Sequence, residues 1–190
     1  MESLSPYWYY FAQYVFLNTY KGLGAYLWNH NDFKLGFAIG YTFGRDEDDS
    51  NYLKGLGDID GGITANILLE WAVGDIAIDA RYEEQITGQD TGFQVHLGLG
   101  YDLRIAKEKI LRPSVKATYA NSDYMEEYFS ISPIQATRSG LSAYDAASGF
   151  KSWQTIAWID TGGFMLWQIM TGWFAKQRTV LLYKTRTNTG

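Results

Sequence analysis

The chain has 190 residues, enough for one domain with a real core and not obviously two. Cysteine is absent, which excludes a disulfide framework and thiolate metal sites. The net charge of -5 argues against nucleic acid as a partner, and no stretch approaches the roughly 20 apolar residues of a spanning helix. Aromatics are 17% of the chain, with fifteen Tyr, ten Phe and seven Trp, beside twenty Gly and three Pro. Apolar residues reach 46%, yet mean hydropathy is negative at -0.23. A soluble protein can have this profile. So can an outer-membrane barrel, where polar lumen residues offset apolar lipid-facing ones and aromatics form interface girdles.

At the start, Met1 is followed by Glu2, Ser3, Leu4, Ser5 and Pro6, with no basic start and no small-residue cleavage site, so no secretory signal is legible. Tyr7–Leu17 and Gly22–Trp28 read as strands that are aromatic on both faces. Asp32–Gly44 is the first clean alternation. Phe33, Leu35, Phe37, Ile39, Tyr41 and Phe43 share one face, against Lys34, Gly36, Ala38, Gly40 and Thr42. The connection 44–62 is acidic, carrying Asp46-Glu47-Asp48-Asp49, then Asp58 and Asp60. Thr64–Val73 alternates more weakly, with Ala65, Ile67, Leu69, Trp71 and Val73 against Asn66 and Glu70. Val73-Gly74-Asp75 predicts a very short hairpin into Gly74–Glu83, where Ile76, Ile78, Ala80 and Tyr82 oppose Asp75, Ala77, Asp79, Arg81 and Glu83. After the polar loop Glu84–Thr91 comes Gly92–Ile105. There Phe93, Val95, Leu97, Leu99, Tyr101, Leu103 and Ile105 oppose Gln94, His96, Gly98, Gly100, Asp102 and Arg104. A short charged turn, Ile105–Lys109, leads to Ile110–Ala120, with Leu111, Pro113, Val115, Ala117 and Tyr119 against Arg112, Ser114, Lys116 and Thr118.

These runs are about 10 residues long, the length a tilted strand needs to cross a bilayer, against about 5–6 in most soluble sheets. Short turns alternate with longer loops, and ionisable groups fall on the non-apolar face. The expected fold is therefore all-β: an antiparallel up-and-down transmembrane β-barrel, incomplete, with roughly eight strands. The residues expected to face its lumen are Lys34, Asp79, Arg81, His96, Asp102, Arg104, Arg112 and Lys116. Alternation alone fits a soluble, lipocalin-like ligand-binding barrel equally well, with the apolar face turned inward.

Catalytic and metal chemistry is thin. His30 lies in the turn Asn29-His30-Asn31-Asp32, and its bland reading is a solvated turn residue. His96 beside Gln94 admits a lipid-hydrolase reading, but no Gly-x-Ser-x-Gly elbow occurs, and a lumen-lining histidine is the simpler reading. The acidic loop could supply oxygen ligands to Ca²⁺, although its spacing matches no EF-hand and a solvated loop explains it. Glu83-Glu84 and Glu126-Glu127 are adjacent pairs, which in a strand point to opposite faces and make poor acid–base dyads. No cofactor, metal or catalytic residue is expected.

Two blocks carry a family resemblance. One is Gly44-Arg45-Asp46-Glu47-Asp48-Asp49, then Leu53, then Gly55-Leu56-Gly57-Asp58-Ile59. The other is Tyr128-Phe129-Ser130-Ile131-Ser132, then Gln135-Ala136, Ser139-Gly140-Leu141, Tyr144-Asp145 and Gly149-Phe150-Lys151. With Gly22-Leu23-Gly24-Ala25, they resemble the MipA/OmpV (MltA-interacting protein) family over about Phe11 to Lys151. The resemblance implies a non-enzymatic outer-membrane barrel, in contact with outer membrane lipids. Its role would be a scaffold between a murein lytic transglycosylase and a penicillin-binding protein, or a minor pore.

Both ends depart from that family. The start lacks an export signal and the first family hairpin. The expected organisation is barrel strands over 1–152 and an atypical tail over 153–190, with no period two after Ser152, an apolar run (162–175) and a basic end. A shifted reading frame near Ser152–Trp153 is the expected origin. Regrouping permitted codons of Phe164–Leu182 yields a strand followed by an Asp-Ser-Pro turn of the family kind. A barrel cannot leave strand edges open in hydrocarbon, so a chain lacking its last strands is also readable as a non-functional gene remnant.

Overall fold

The computed structural model describes residues 8–10, 14–18, 21–89, 92–107, 109–160 and 165–173. Among them eleven strands form one antiparallel sheet. They are β1 (Trp8–Tyr10), β2 (Val15–Asn18), β3 (Gly22–His30), β4 (Phe33–Thr42), β5 (Gly62–Val73), β6 (Ile76–Gln85), β7 (Phe93–Tyr101), β8 (Leu103–Ala106), β9 (Lys109–Ala120), β10 (Gly149–Asp160) and β11 (Met165–Trp173). Pairing follows chain order from β1 to β7, then passes to β9, β10 and β11, with β8 attached to β9 alone. This is the up-and-down meander expected of the alternating runs. The order runs from β1 at one edge to β11 at the other, as in an incomplete barrel. Two helices, α1 (Ser122–Phe129) and α2 (Pro133–Ser139), lie between β9 and β10.

The facing is the inverse of a water-soluble sheet. On β4, Phe37 is 46% exposed, while its neighbour Ala38 is 1% exposed. On β5, Ile67 is 57% exposed and Leu68 is 1% exposed. Along β7, Leu97 and Leu99 are exposed, whereas Gln94, Gly98 and Gly100 are buried. Asn18, Thr64, Asn66, Gln85, Gln94, Thr118 and Ser152 are the buried polar residues of the inner face. A lipocalin-like barrel needs apolar side chains inside; here the large apolar side chains cover the outside. The main apolar cluster within is Phe16, Tyr26, Ala38 and Leu68, on four successive strands along one side of the wall.

The sheet is strongly rolled. From β4 to β10 the order takes five steps, about 24 Å if flat at about 4.8 Å per step. Yet the stacked rings of Tyr124 and Tyr128, 4.5 Å apart on α1, touch both strands. Tyr128 hydrogen-bonds the Thr42 side chain at the end of β4, and Tyr124 accepts from Lys151 on β10. Only a sheet curved around α1 brings those strands so close.

From β3 onward, connections differ by end. On one end they are tight: Asn31-Asp32, with Asn31 at φ 50, and Gly74-Asp75, with Gly74 at φ 61. That left-handed conformation favours glycine and closes the expected hairpin. On the other end lie the long connections 43–61, 86–92 and 121–148.

Several expectations are refined. The segment read as one strand over Tyr7–Leu17 is two strands, with Tyr9 opposite Leu17; aromatics on both faces gave no period with which to place the turn. The run Gly92–Ile105 breaks at Asp102, because β6 begins at Ile76 and partners β7 only as far as Tyr101. Asp102 N–H donates to Asp75 C=O at that edge. β10 continues across residue 152, paired with β9 on one side and β11 on the other, with a register shift between Phe150 and Ser152 that leaves Lys151 without an opposite residue on β9. The strand pattern thus continues beyond the point where alternation was read as ending; residues 161–164 and 174–190 lie outside the described residues.

Candidate functional site: the polar inner face

Sheet register stacks the inner residues into rows, each crossing several strands at one height. One row runs Lys34, Glu70, Asp79, Gly98, Lys116 and Gln154 across β4, β5, β6, β7, β9 and β10. The next, toward the long loops, runs Leu68, Arg81, His96, Thr118 and Ser152. Above it come Asn66, Glu83, Gln94 and Ala120. Even-numbered spacing on each strand, together with a fixed register, is enough to align them.

Charges in these rows compensate one another. Asp79 and Lys116 lie two strands apart, with Gly98 between them, and approach to 3.6 Å. A Cβ on Gly98 would sit 2.2 Å from Asp79 Oδ1, so the bare glycine is what leaves room for Asp79 over β7. Glu70 Oε1 accepts from Lys21 Nζ at 2.5 Å and from Tyr26 Oη at 3.0 Å. Arg81 pairs with Glu83 at 2.7 Å. Arg112 grips both Asp102 oxygens through Nε and Nη2. His96 Nδ1 lies 3.0 Å from Thr118 Oγ1, while its Nε2 is buried with no hydrogen-bond partner among the described atoms. Lys34 stands 5.4 Å from the Tyr26 ring.

Of the eight residues expected to face the lumen, the structure brings Lys34, Asp79 and Lys116 into one row and Arg81 and His96 into the next. Asp102 and Arg112 form a pair nearer the tight-turn end. Arg104 is set apart: it is exposed on β8, which has a neighbour on one side only. Sequence reasoning left Lys21, Tyr26, Glu70, Glu83, Gln94, Tyr124 and Lys151 out of that set. Glu70, Glu83 and Gln94 carried the signal, since each stands on a non-apolar face. Lys21 stands in the turn before β3 and Tyr26 on a strand with no polar face to read, and Tyr124 and Lys151 join the site only through tertiary packing.

The upper limit of the polar face is α1. Asn121 caps it: its Oδ1 accepts from Tyr124 N–H at 3.1 Å and from Phe93 N–H on β7 at 2.9 Å. Met125 is buried with Ala120 and Ala146. Lys151 Nζ donates to Gln94 Oε1 at 2.5 Å and to Tyr124 Oη at 2.8 Å, and lies 4.4 Å from the Tyr124 ring centre. Gln94 in turn donates to Glu83 at 3.3 Å. Burial pushes the Tyr124 hydroxyl above the usual phenol range, with Tyr128 and Glu83 adding to the effect. Neutral Tyr124 is thus the form that packs here.

The acidic loop is tied to the same end. Asp46 Oδ1 accepts from Asp48 N–H, Asp58 Oδ1 accepts from Glu47 N–H, and Glu47 Oε2 accepts from the N–H groups of Gly55 and Gly57. These carboxylates fold the loop. Arg45 Nη1 donates to Tyr128 C=O at 2.9 Å, and Arg138 of α2 reaches Glu47 at 3.3 Å. Between loop and helices lies a cavity of about 270 Å³, lined by Arg45, Asp58, Glu126, Glu127, Gln135 and Asp145 among others. Among the described residues, no group of three or more His, Cys, Asp or Glu is placed to hold a metal ion.

Comparison with known proteins gave one family. No curated protein and no solved structure matches the chain. The family described as MltA-interacting protein MipA matches residues 2–172, which takes in the acidic loop, both helices and all eleven strands but the last residue of β11. An all-β up-and-down sheet and a family match over most of the sequence agree: the chain belongs to the MltA-interacting protein MipA family.

Proposed function

We propose that this chain is wall material of an outer-membrane β-barrel, non-enzymatic, acting as a scaffold at which murein enzymes meet. The observation that carries the membrane reading is the inverted facing. Leu35, Phe37, Ile39, Ile67, Leu97 and Leu99 are exposed side by side on one surface, while charged and amide side chains fill the other. In water a contiguous apolar belt of this kind would drive aggregation; in hydrocarbon it is the ground state. The strands β3 to β7, β9 and β10 are 9 to 12 residues long, the span of a bilayer for tilted strands. By the usual sidedness, the tight turns face the periplasm and the loops with α1 and α2 face outward.

The scaffold reading rests on the family name, which denotes interaction with the lytic transglycosylase MltA. The partners proposed for this chain are a murein lytic transglycosylase and a penicillin-binding protein, met on the tight-turn side. The test is two-stage. The chain is refolded in detergent micelles and run with and without boiling, with far-UV circular dichroism alongside. A β-rich species whose mobility changes on boiling supports the barrel. The refolded protein in liposomes is then co-sedimented with a purified lytic transglycosylase of that type. Saturable binding supports the scaffold; a well-folded barrel that leaves the enzyme in the supernatant sinks it.

A further inference from the structure

At the long-loop end, α1 covers the polar inner face between β4 and β10. Beneath α1, a narrow space of about 10 Å³ lies between Thr42, Thr64, Gln85 and Gln94 of the strands and Tyr124 and Tyr128 of the helix, room for one water at most. The two tyrosine rings lie across it, with Tyr128 hydrogen-bonded to Thr42 on one wall, and Lys151 on the opposite wall donates to both Tyr124 and Gln94. Asn121 fixes the start of α1 to Phe93 on β7. Its far end is held from above, where Arg45 of the acidic loop donates to Tyr128 C=O. The loop is itself clasped by α2, through Arg138 to Glu47 and through Gln135 Nε2 to Leu56 C=O.

A helix that merely crossed the outside of the mouth would not need these contacts. Its aromatic side chains would meet solvent or lipid, and the charged wall residues below would remain hydrated. Here the rings turn toward the polar face and pack over Thr42, Thr64 and Gln94. We infer that α1 is a stopper seated in the long-loop mouth of the lumen, with the Tyr124–Tyr128 pair as the seal and Lys151 as the latch. The inference rests on the proposed barrel and deepens it: the intact wall is closed to solutes from this side, so the pore reading requires α1 to withdraw.

The chain has no cysteine, so one introduced thiol reports cleanly. Thr64, buried under the stopper, is replaced by Cys, and Asp48→Cys on the exposed loop is the reference. Both variants of the 190-residue chain are refolded in micelles, checked for heat-modifiable migration, and treated with a charged maleimide. T64C is expected to react at least about tenfold more slowly than D48C, as a site reached only through local opening. Adding Y124A and Y128A to T64C is expected to remove most of that protection. T64C reacting as fast as D48C overturns the inference, as does protection unchanged by loss of both rings. If the ring-less protein does not refold, T64C with K151M carries the same comparison, and an unchanged rate there overturns it too. If neither T64C nor D48C gives a heat-modifiable species, the barrel reading falls and the stopper with it; if T64C alone fails, Q85C, which lines the same space, carries the comparison with the same two outcomes.

Discussion

Gly98 and Leu97 are neighbours with opposite surroundings. Gly98 lies on the inner face, where its missing Cβ makes space for the Asp79 carboxylate. Gly98→Val is expected to push Asp79 aside, break its approach to Lys116 and cost about 1–3 kcal/mol by overpacking. A lowered urea midpoint in lipid vesicles reads it; an unchanged midpoint would mean the inner face has slack at this height. The ion pair contributes little by itself, since both partners are more than a third exposed and such pairs contribute at most about 1 kcal/mol. Leu97 points outward and is 53% exposed. Leu97→Arg is expected to destabilise insertion by about 2–4 kcal/mol if the residue lies near mid-bilayer. Normal heat-modifiable migration of that variant would refute the facing.

At the scale of elements, the segment 121–148 behaves as a built unit rather than a loose loop. Helix α2 starts with a capping box: Ser132 Oγ accepts from Gln135 N–H, and Gln135 Oε1 accepts from Ser132 N–H. Pro133 fits the first helical position, where no N–H is needed. Helix α2 ends at Gly140 with φ 73. Ser132→Ala is expected to cost about 1 kcal/mol of local stability. Faster tryptic cleavage after Arg138 in the folded protein would show it; an unchanged rate would mean that packing, not the cap, holds α2. Glu47→Ala removes the acceptor shared by Gly55 N–H, Gly57 N–H and Arg138. Cleavage after Lys54 should then accelerate, while the boiling-dependent mobility of the barrel stays the same. Loss of that mobility would give the acidic loop a role in closing the wall.

Strands β4, β6, β7 and β9 were legible because a clean period of two survives wherever one face is uniformly apolar, and β5 showed a weaker form of it. The helices were not read, although Ser132-Pro133 followed by Gln135 is a capping signature visible in the sequence. Period-two reading passes over such a signal, because short helices in a connection add no alternation. The inner set was half legible. Asp79, Arg81, His96 and Lys116 announce themselves by polarity on an alternating strand. Lys151 and Tyr124 do not, since their importance comes from meeting each other across the mouth. Arg104 shares the alternation yet stands apart, because pairing with β6 has already ended at that height.

For the whole molecule, the expectation of a shifted frame near residue 152 stands as a proposal about the gene. The nucleotide sequence of the 164–182 region tests it directly: an Asp-Ser-Pro turn in the neighbouring frame supports it, and its absence ends it. What the sequence by itself determined is where β4 to β7 and β9 run and which of their residues share a face, because side chains alternate along any extended backbone whatever surrounds it. Which of the two faces is inside was left open by that same symmetry, since a soluble barrel and a membrane barrel write identical patterns. Only the tertiary structure decided it. Rolling the sheet puts Ala38, Leu68, Gln94 and Gly98 on the crowded concave side and leaves Phe37, Ile67, Leu97 and Leu99 on the convex one. The same curvature brings β4 and β10 to either side of α1, a meeting of residues more than a hundred positions apart that no local period encodes.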